Sequence, residues 1–142
     1  MQNTKVGVVG VGYLGKFHAQ KYAAMENVTL VGVVDTDRGL AEQVAGDTGC
    51  QAFSDYRDLL GEIDAASVVV PTPYHFSISK ELLAHDVDLM IEKPITTSLS
   101  EADTLIHLSE DRERLIQVGH LERFNSAVVS LKDIIQEPLF IE

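Results

Sequence analysis

Cysteine is nearly absent from this sequence, because the 142 residues contain only Cys50. A single thiol excludes an internal disulfide framework and a multi-cysteine metal site, and we interpret it as a small buried side chain. The histidines are His18, His75, His85, His107 and His120. None of them falls in the H-E-x-x-H spacing of a helical zinc site, so we expect no bound metal. We interpret His18 and His107 as packing or surface residues of helices.

Basic residues and long apolar runs are also scarce. There are 11 lysines and arginines against 22 acidic residues, which gives a net charge of −11. An acidic surface repels nucleic acid and anionic membranes, although a local group of backbone N–H donors can still bind a phosphate. No apolar run approaches the roughly 20 residues of a membrane-spanning helix. The N-terminal residues lack the apolar core of a signal peptide. We therefore expect a soluble, cytoplasmic protein.

Short β-branched runs alternate with helical stretches along the chain. The predicted strands are residues 5–10, 28–35, 66–71, 87–93 and 115–120, with a weaker candidate at 50–53. The predicted helices are residues 14–25, 37–45, 74–85 and 100–112. Strand–helix–strand units with short connections form parallel sheets through right-handed crossovers. The pattern therefore predicts a doubly wound α/β domain over residues 1–120.

Two of the predicted helices carry signals at their ends. Glycines at 46 and 49 are expected to stop the second helix, since glycine is common after helix C-termini. In the helix over residues 100–112, Ser100 is the predicted N-cap, and Asp103 would complete a capping box. The residues predicted to share one face of that helix are Ala102, Leu105, Ile106 and Ser109.

A different pattern begins after residue 120. Residues 123–138 predict a helix that ends at Pro138, and residues 139–142 predict the first strand of another sheet. A strand without a partner suggests that this chain is a fragment of a two-domain protein. We interpret residues 121–142 as the connecting helix and first strand of a truncated C-terminal α/β substrate domain.

A glycine-rich turn follows the first predicted strand. Gly10, Gly12 and Gly15 form a G-x-G-x-x-G motif between a buried strand and a helix, the context that a dinucleotide-binding turn requires. Gly10 permits the tight turn, Gly12 lets the backbone approach a pyrophosphate, and Gly15 allows close packing of helix and strand. Free N–H groups at the start of the helix would bind the anion. The alternative is a glycine turn with a packing role only.

An acidic residue ends the second predicted strand, 20 residues after the last glycine of the motif. Asp35 lies where a carboxylate accepts a hydrogen bond from the adenosine ribose 2′-hydroxyl. A 2′-phosphate would be repelled there, so the sequence favours NAD over NADP. Arg38 complicates this preference, because its guanidinium could turn toward a phosphate.

Two further motifs complete a family resemblance. The run "VVPTPYHF" over residues 69–76 and the sequence Glu92-Lys93-Pro94 follow the glycine motif in order. Together they resemble the glucose–fructose oxidoreductase/inositol dehydrogenase/rhizopine-catabolism (Gfo/Idh/MocA) family over essentially the whole chain. The resemblance implies a Rossmann-type NAD(P)-binding domain of an oxidoreductase. It also implies a small sugar or nucleotide-sugar substrate, and a homo-oligomer when the protein is full length.

The resemblance implies a role for each matching residue. Tyr13 and Leu14 would add backbone contacts to the pyrophosphate, beside the three glycines. Pro71, Thr72 and His75 would lie beside the nicotinamide half of the cofactor. Glu92 and Lys93 would lie at the nicotinamide ribose and the substrate, with Lys93 orienting the substrate hydroxyl as a catalytic residue. The main acid–base residue of such enzymes is a histidine in the second domain, beyond residue 142. We therefore expect this chain to bind NAD with little or no turnover.

Two residues of these motifs have other interpretations. Lys93 could simply pair with Glu92 or extend into solvent, since ion pairs often have only structural roles. The bond between Lys93 and Pro94 is a candidate cis peptide, although cis is the minority form before proline.

A narrower resemblance lies in "VGHLERFNSAV", residues 118–128. It is similar to the branch of this family that oxidises the 3-hydroxyl of UDP-N-acetylglucosamine. His120, Arg123 and Asn125 would then line the substrate side of the nicotinamide. An arginine suits the diphosphate of a nucleotide sugar, but a solvated pair with Glu122 is an equally open alternative.

Two positions depart from the family pattern. Ser126 replaces a proline common in that branch, which loosens the start of the helix. Asp86 replaces a common glycine, and aspartate tolerates a left-handed backbone better than most residues.

Three functions remain open at the level of the sequence. The leading one is an NAD-dependent dehydrogenase that transfers hydride between a sugar hydroxyl and nicotinamide. A non-catalytic regulatory homologue that senses NAD(P) is the second, and Lys93 argues against it because a sensor has no need of a catalytic lysine. The third is a reductase of a small non-sugar substrate such as an imine or a tetrapyrrole.

Overall fold

The centre of the computed structural model is a six-stranded parallel sheet, and the structure describes residues 3–131. The strands are β1 Thr4–Val9, β2 Val28–Val34, β3 Gln51–Phe53, β4 Ala65–Val68, β5 Asp88–Ile91 and β6 Ile116–Val118. Their order across the sheet is β3-β2-β1-β4-β5-β6, and every neighbouring pair is parallel. The chain thus reverses its direction of travel across the sheet between β1 and β4. This order confirms the predicted doubly wound Rossmann-type fold.

Helices cover both faces of the sheet. They are α1 Gly15–Ala23, α2 Arg38–Thr48, α3 His75–Ala84, α4 Leu99–Asp111 and α5 Ser126–Leu131, with 3-10 turns at Tyr56–Leu59, Thr72–Tyr74 and Leu121–Phe124. α1 and α2 pack on one face, where Val8 of β1 is buried. α3 and α4 pack on the other, where Val9 is buried. Because consecutive valines point to opposite faces and both faces are covered by helices, the strand sequences are continuously apolar.

Strand and helix types were predicted correctly, whereas several ends differ. The fourth strand ends at Val68 rather than at residue 71, because the chain leaves the sheet there to form the cavity wall described below. The second helix was predicted to end at residue 45, and this was wrong. It continues through Gly46 to Thr48 and ends at Gly49, whose φ of 72° is left-handed. The second glycine is therefore the stop signal, and the first is an ordinary helical residue.

The predicted cap of α4 was also wrong. Ser98, not Ser100, is the N-cap, and its Oγ accepts a hydrogen bond from the N–H of Glu101 at 3.3 Å. The Glu101 carboxylate in turn accepts from the backbone N–H and the hydroxyl of Thr97, which lowers the pKa of Glu101. These bonds satisfy donors at the helix start in the manner of a capping box. Ser98 and Glu101 have the S-x-x-E spacing of a capping box, and Asp103 has no capping role.

The buried face predicted for α4 was wrong at one residue. Leu105 and Ser109 are buried and Ala102 is half-buried, whereas Ile106 is 45% exposed. Leu108 takes its place against the core. Residues 105, 108 and 109 follow the spacing of one helix face, and Ile106 lies about 100° away around the axis from Leu105.

Two backbone predictions are confirmed. Asp86 has a φ of 61°, so aspartate does occupy a left-handed position before β5. The Lys93–Pro94 peptide bond is cis.

The helix predicted over residues 123–138 begins later than expected. Leu121–Phe124 form a 3-10 turn, and α5 starts at Ser126. The remainder of that predicted helix beyond residue 131, and the strand predicted at 139–142, lie outside the described residues. Within residues 3–131, no helix is sufficiently long and apolar to span a membrane.

Substitution of each serine before α4 tests the observed cap. Ser98→Ala should lower the free energy of unfolding by about 1 kcal/mol, because it removes an N-cap acceptor. Ser100→Ala is the matched control and should change stability by less than about 0.5 kcal/mol, as exposed substitutions usually do. Urea unfolding followed by circular dichroism measures both values. A larger loss for Ser100→Ala than for Ser98→Ala would contradict the observed cap.

Candidate functional site

A cavity of about 820 Å³ opens at the carboxyl ends of the strands. It extends across the point between β1 and β4 where the strand order reverses, which is where open α/β sheets bind ligands. Its walls include most of the residues predicted to bind a cofactor, namely Gly10, Gly12, Leu14, Asp35, Pro71, Thr72, His75, Glu92 and Lys93. Tyr13, Gly15 and Arg38 are not part of this lining.

The glycine turn has the geometry that its sequence predicts. Gly10 has a φ of +88°, and a Cβ there would lie 2.7 Å from the carbonyl oxygen of Val69. A Cβ on Gly15 would lie 1.8 Å from the carbonyl oxygen of Gly10, so only glycine lets α1 begin this close to β1. A Cβ on Gly12 would meet no atom within 4 Å. The first and third glycines are required by packing, and the second leaves open space at the cavity.

Backbone donors are free at this turn. The N–H groups of Gly12, Tyr13 and Leu14 form no hydrogen bond with any described residue. No side chain caps α1, and its first turn has no acidic residue. By contrast, Asp37 caps α2. Free amides at a helix N-terminus form a site for an anion, and the space beside Gly12 gives a diphosphate access to them. The turn therefore fits the pyrophosphate of a dinucleotide.

Asp35 connects the end of β2 to the glycine turn. Its half-buried carboxylate accepts hydrogen bonds from the N–H of Val11 at 2.9 Å and from the N–H of Asp37 at 3.0 Å. Each carboxylate oxygen has a second lone pair, so the group can still accept from a ribose hydroxyl. The structure thus gives Asp35 a role that its spacing did not predict, because it holds the turn as well as facing the cavity.

Arg38 lies outside the cavity, at the start of α2. Its Nε donates to the carboxylate of Glu42 at 2.7 Å, one helical turn later, and its side chain is 81% exposed. Surface pairs of this kind contribute little to stability, so the guanidinium is free to reorient. In the arrangement observed, the cation that could favour a 2′-phosphate faces Glu42.

His75 joins two of the cavity walls. Its ring is 1% exposed, with Nε2 2.7 Å from the carbonyl oxygen of Val70 and Nδ1 3.0 Å from that of Pro94. A carbonyl oxygen can only accept, so whichever ring nitrogen carries the proton has an acceptor within hydrogen-bond distance. His75 therefore fastens the segment after β4 to the turn after β5, as well as contributing to the lining.

Glu92 and Lys93 follow β5 and point in different directions. Glu92 is 5% exposed, and its carboxylate faces His18 of α1 at 3.3 Å rather than the Lys93 ammonium. Lys93 is exposed at the cavity. The alternative in which these two side chains simply pair is not observed. The lysine is therefore available to a ligand.

The three predicted substrate residues lie on the segment that follows β6. His120, Arg123 and Asn125 are all exposed, and none is part of the cavity lining. Asn125 donates to the Glu122 carboxylate at 2.7 Å and accepts from the N–H of Ala127. Glu122 thus forms a hydrogen bond with Asn125. It does not form the surface pair with Arg123 that the sequence left open.

Sequence reasoning missed a polar group beside the end of β3. Tyr56 and Arg57 line the cavity, and both side chains donate to the carboxylate of Glu81 on α3. Burial and the hydrogen bond to Glu81 raise the pKa of Tyr56 to about 12. The same hydrogen bond lowers the pKa of Glu81. The sequence offered one indication of this group: Tyr56 and Arg57 follow a predicted strand. Residues that follow a parallel strand lie at the edge of the sheet where the other strands end.

The titration of Tyr56 is predicted from this contact. A tyrosine whose pKa is raised on folding contributes stability that is complete below about pH 10 and is lost as pH rises through about 12. Phenolate absorbance should therefore show one of the four tyrosines titrating near pH 12. That step should disappear in Tyr56→Phe. Its persistence in the variant would show that another tyrosine is the perturbed one.

Comparisons with known proteins identify the relatives of this chain. The UDP-N-acetylglucosamine 3-dehydrogenase of Acidithiobacillus ferrooxidans is 41% identical over 132 residues, which are 93% of this chain and 42% of that protein. A crystal form of that enzyme superimposes with a TM-score of 0.87 at 40% identity, over 94% of this chain and 44% of the solved one. The scyllo-inositol 2-dehydrogenase (NAD(+)) of Bacillus subtilis is 32% identical, over 90% of this chain and 39% of its own length. The chain thus spans about two fifths of the length of these relatives.

A family profile defines the relationship. The profile described as "Oxidoreductase family, NAD-binding Rossmann fold" matches residues 4–120, which include the glycine turn, Asp35 and the Glu92–Lys93 segment. These comparisons and the geometry of the cavity agree with the resemblance inferred from the motifs. The chain belongs to the Gfo/Idh/MocA oxidoreductase family and forms its NAD-binding Rossmann fold.

Proposed function

We propose that this chain binds NAD in the cavity at the carboxyl edge of the sheet. The main support is structural: among the described residues, the N–H groups of Gly12, Tyr13 and Leu14 have no hydrogen-bond partner, and there is open space beside Gly12. Their partial positive charge lies close to where a diphosphate would enter, so the acidic net charge of the chain does not prevent binding. Adenosine would extend from there toward Asp35 and Tyr56, and nicotinamide toward His75 and the turn after β5.

Asp35 supports NAD rather than NADP. Its carboxylate is positioned by two backbone donors and retains lone pairs for a ribose hydroxyl. A phosphate at the same place would meet a negative charge. Arg38, the cation that could offset that charge, is paired with Glu42.

We propose that the whole protein oxidises a hydroxyl of a sugar or nucleotide sugar. NAD, when bound, supplies a nicotinamide ring that accepts hydride from the carbon bearing the hydroxyl. The contribution of this chain is to bind and orient. Lys93 is exposed at the cavity, where its ammonium can donate a hydrogen bond to the substrate oxygen and hold it near the cofactor. The proton of that hydroxyl would pass to an acid–base histidine beyond residue 142.

We propose that the substrate is UDP-N-acetylglucosamine and that its 3-hydroxyl is the group oxidised. A relative that is 41% identical is named for that reaction, and the match extends into the segment after β6. Exposed Arg123 offers a guanidinium that could contact a diphosphate, and His120 and Asn125 offer further polar groups. A sugar outside the nucleotide class would have less need of Arg123.

We further propose a cytoplasmic, homo-oligomeric protein whose partner is this small molecule rather than nucleic acid or a membrane. The support is the net charge of −11, which disfavours nucleic acid and anionic membranes, and the homo-oligomer that the family resemblance implies.

Calorimetric titration with NAD and NADP tests the proposed cofactor. The chain should bind NAD more tightly than NADP. In Asp35→Asn, the affinity for NAD should fall about tenfold, the size of one lost hydrogen bond to a charged group, and the affinity for NADP should rise because a charge is removed. The amide oxygen of asparagine can keep the bond from Val11 and so preserve the glycine turn, whereas its NH2 group cannot accept the bond from Asp37, which lies outside that turn.

A matched control removes a neighbouring carboxylate that lies outside the cavity. Glu42→Gln keeps the shape of the side chain and is expected to leave the affinity for NAD unchanged, since Glu42 is not among the lining residues. Equal losses of NAD and NADP affinity in Asp35→Asn would refute the ribose role. Failure of the unaltered chain to bind either dinucleotide would refute the proposed function.

A further inference from the structure

A buried carboxylate forms part of the cavity wall. Glu92 is 5% exposed, and its Oε2 accepts the N–H of Lys93 at 3.1 Å. Its Oε1 has no hydrogen-bond partner in the described part of the chain. A carboxylate withdrawn from water is unfavourable unless an opposite charge or donors compensate it. Glu92 therefore requires a partner that the turn after β5 does not provide.

His18 is the group positioned to provide that charge. It lies in the first turn of α1, three residues after Gly15, and its side chain is 11% exposed. Its Nε2 is 3.3 Å from Oε1 of Glu92. Nε2 and Oε1 are close enough for an ion pair when the ring is protonated, but the ring N–H is not aligned for a hydrogen bond to Oε1. A small rotation of either side chain would align them.

The ring of His18 is held from behind. Its Nδ1 is 3.1 Å from the hydroxyl of Ser67, which is fully buried in β4, and the hydroxyl of Tyr22 is 2.8 Å from the same oxygen. The Ser67 hydroxyl can either donate or accept, so it can support the ring whether or not Nδ1 carries a proton. These contacts direct Nε2 toward Glu92.

A third element confines the carboxylate from the opposite side. A Cβ on Gly119, just after β6, would lie 2.8 Å from Oε1 of Glu92. The absence of a side chain at 119 therefore leaves room for the Glu92 carboxylate. His18 and Gly119 approach this one oxygen from elements far apart in the sequence, whereas neither belongs to the cavity lining.

We propose that His18 is a positioning residue, which pairs with the buried Glu92 carboxylate and so fixes the Glu92–Lys93–Pro94 turn at the nicotinamide half of the site. The inference rests on the proposed function. Because His18 lies on the helix that begins at the pyrophosphate turn, the pair also connects the two halves of the dinucleotide site. Loss of the pair should affect the nicotinamide half and leave the adenosine diphosphate half intact.

Titration with NAD and with ADP separates the two halves. ADP contains the adenosine and the diphosphate but no nicotinamide riboside. His18→Ala should weaken NAD binding about tenfold, as expected for a buried charge left without its partner, and change ADP binding by less than about twofold. A purely structural role in α1 would weaken both ligands alike, because both use the glycine turn. Equal losses, or no loss for either ligand, would overturn the proposal.

Two further variants and a control sharpen the result. His18→Gln retains an N–H donor and should restore most of the NAD affinity. Gly119→Ala should reproduce the selective loss, because it displaces the same carboxylate from the other side. His107→Ala, the same change at an exposed helical histidine, should leave NAD and ADP binding unaltered. A His18→Gln variant as weak as His18→Ala would overturn the role of the donor.

Urea unfolding without ligand tests the pairing of His18 and Glu92 independently of dinucleotide binding. Made alone, Glu92→Gln should lower the urea concentration at the unfolding midpoint, because it breaks the pair with His18. In the His18→Ala background the same change should raise the midpoint or leave it equal, because it removes an unpaired buried charge. Identical shifts in both backgrounds would show that the two side chains do not interact. If the unaltered chain bound neither NAD nor ADP, the proposed function would fail, and this cycle would still decide the pairing.

Discussion

The hydrogen bond from the N–H of Val11 to the carboxylate of Asp35 is the contact on which the rest of the site depends. It joins the turn after β1 to the end of β2 and satisfies the first amide of the turn. Among residues 3–131, the next three amides, at residues 12–14, then have no hydrogen-bond partner at the start of α1. The close approach of Gly15 to the Gly10 carbonyl makes this arrangement possible, because any side chain at 15 would separate the helix from the turn. One acid and two glycines thus create a local anion site in an acidic chain.

The fold was predictable because its signals are local and repeat in a regular order. Valine-rich runs such as β1 and β2 are buried on both faces, and each precedes a helix after a short connection. The glycine spacing and Asp35 could be identified for the same reason, since each residue acts through its own backbone position. Element ends were harder to predict. Two serines lie close together before α4, and the extended backbone of Ser98 (φ −144°, ψ 156°) with its hydrogen bond from the N–H of Glu101 identifies Ser98 as the cap.

Contacts between distant elements could not be inferred from spacing. His18 was interpreted as a packing residue, yet its ring meets Ser67 of β4 and Glu92 after β5. Tyr56 meets Glu81, 25 residues later, and nothing in either local sequence indicates the pairing. Arg38 shows the opposite case, because its guanidinium, which could have turned toward a phosphate, pairs with Glu42 one helical turn away. Such contacts depend on the register of the strands, which the sequence alone does not give.

We propose that the free amides at the opening of α1 bind a diphosphate. Amide chemical shifts of the ¹⁵N-labelled chain, followed during titration with NAD, measure this binding residue by residue. We expect the largest shifts on Gly12, Tyr13 and Leu14, and we expect inorganic pyrophosphate to move the same three resonances in the same direction. Saturation of the chain with NAD while these amides remain unmoved, with the shifts on another surface, would contradict it.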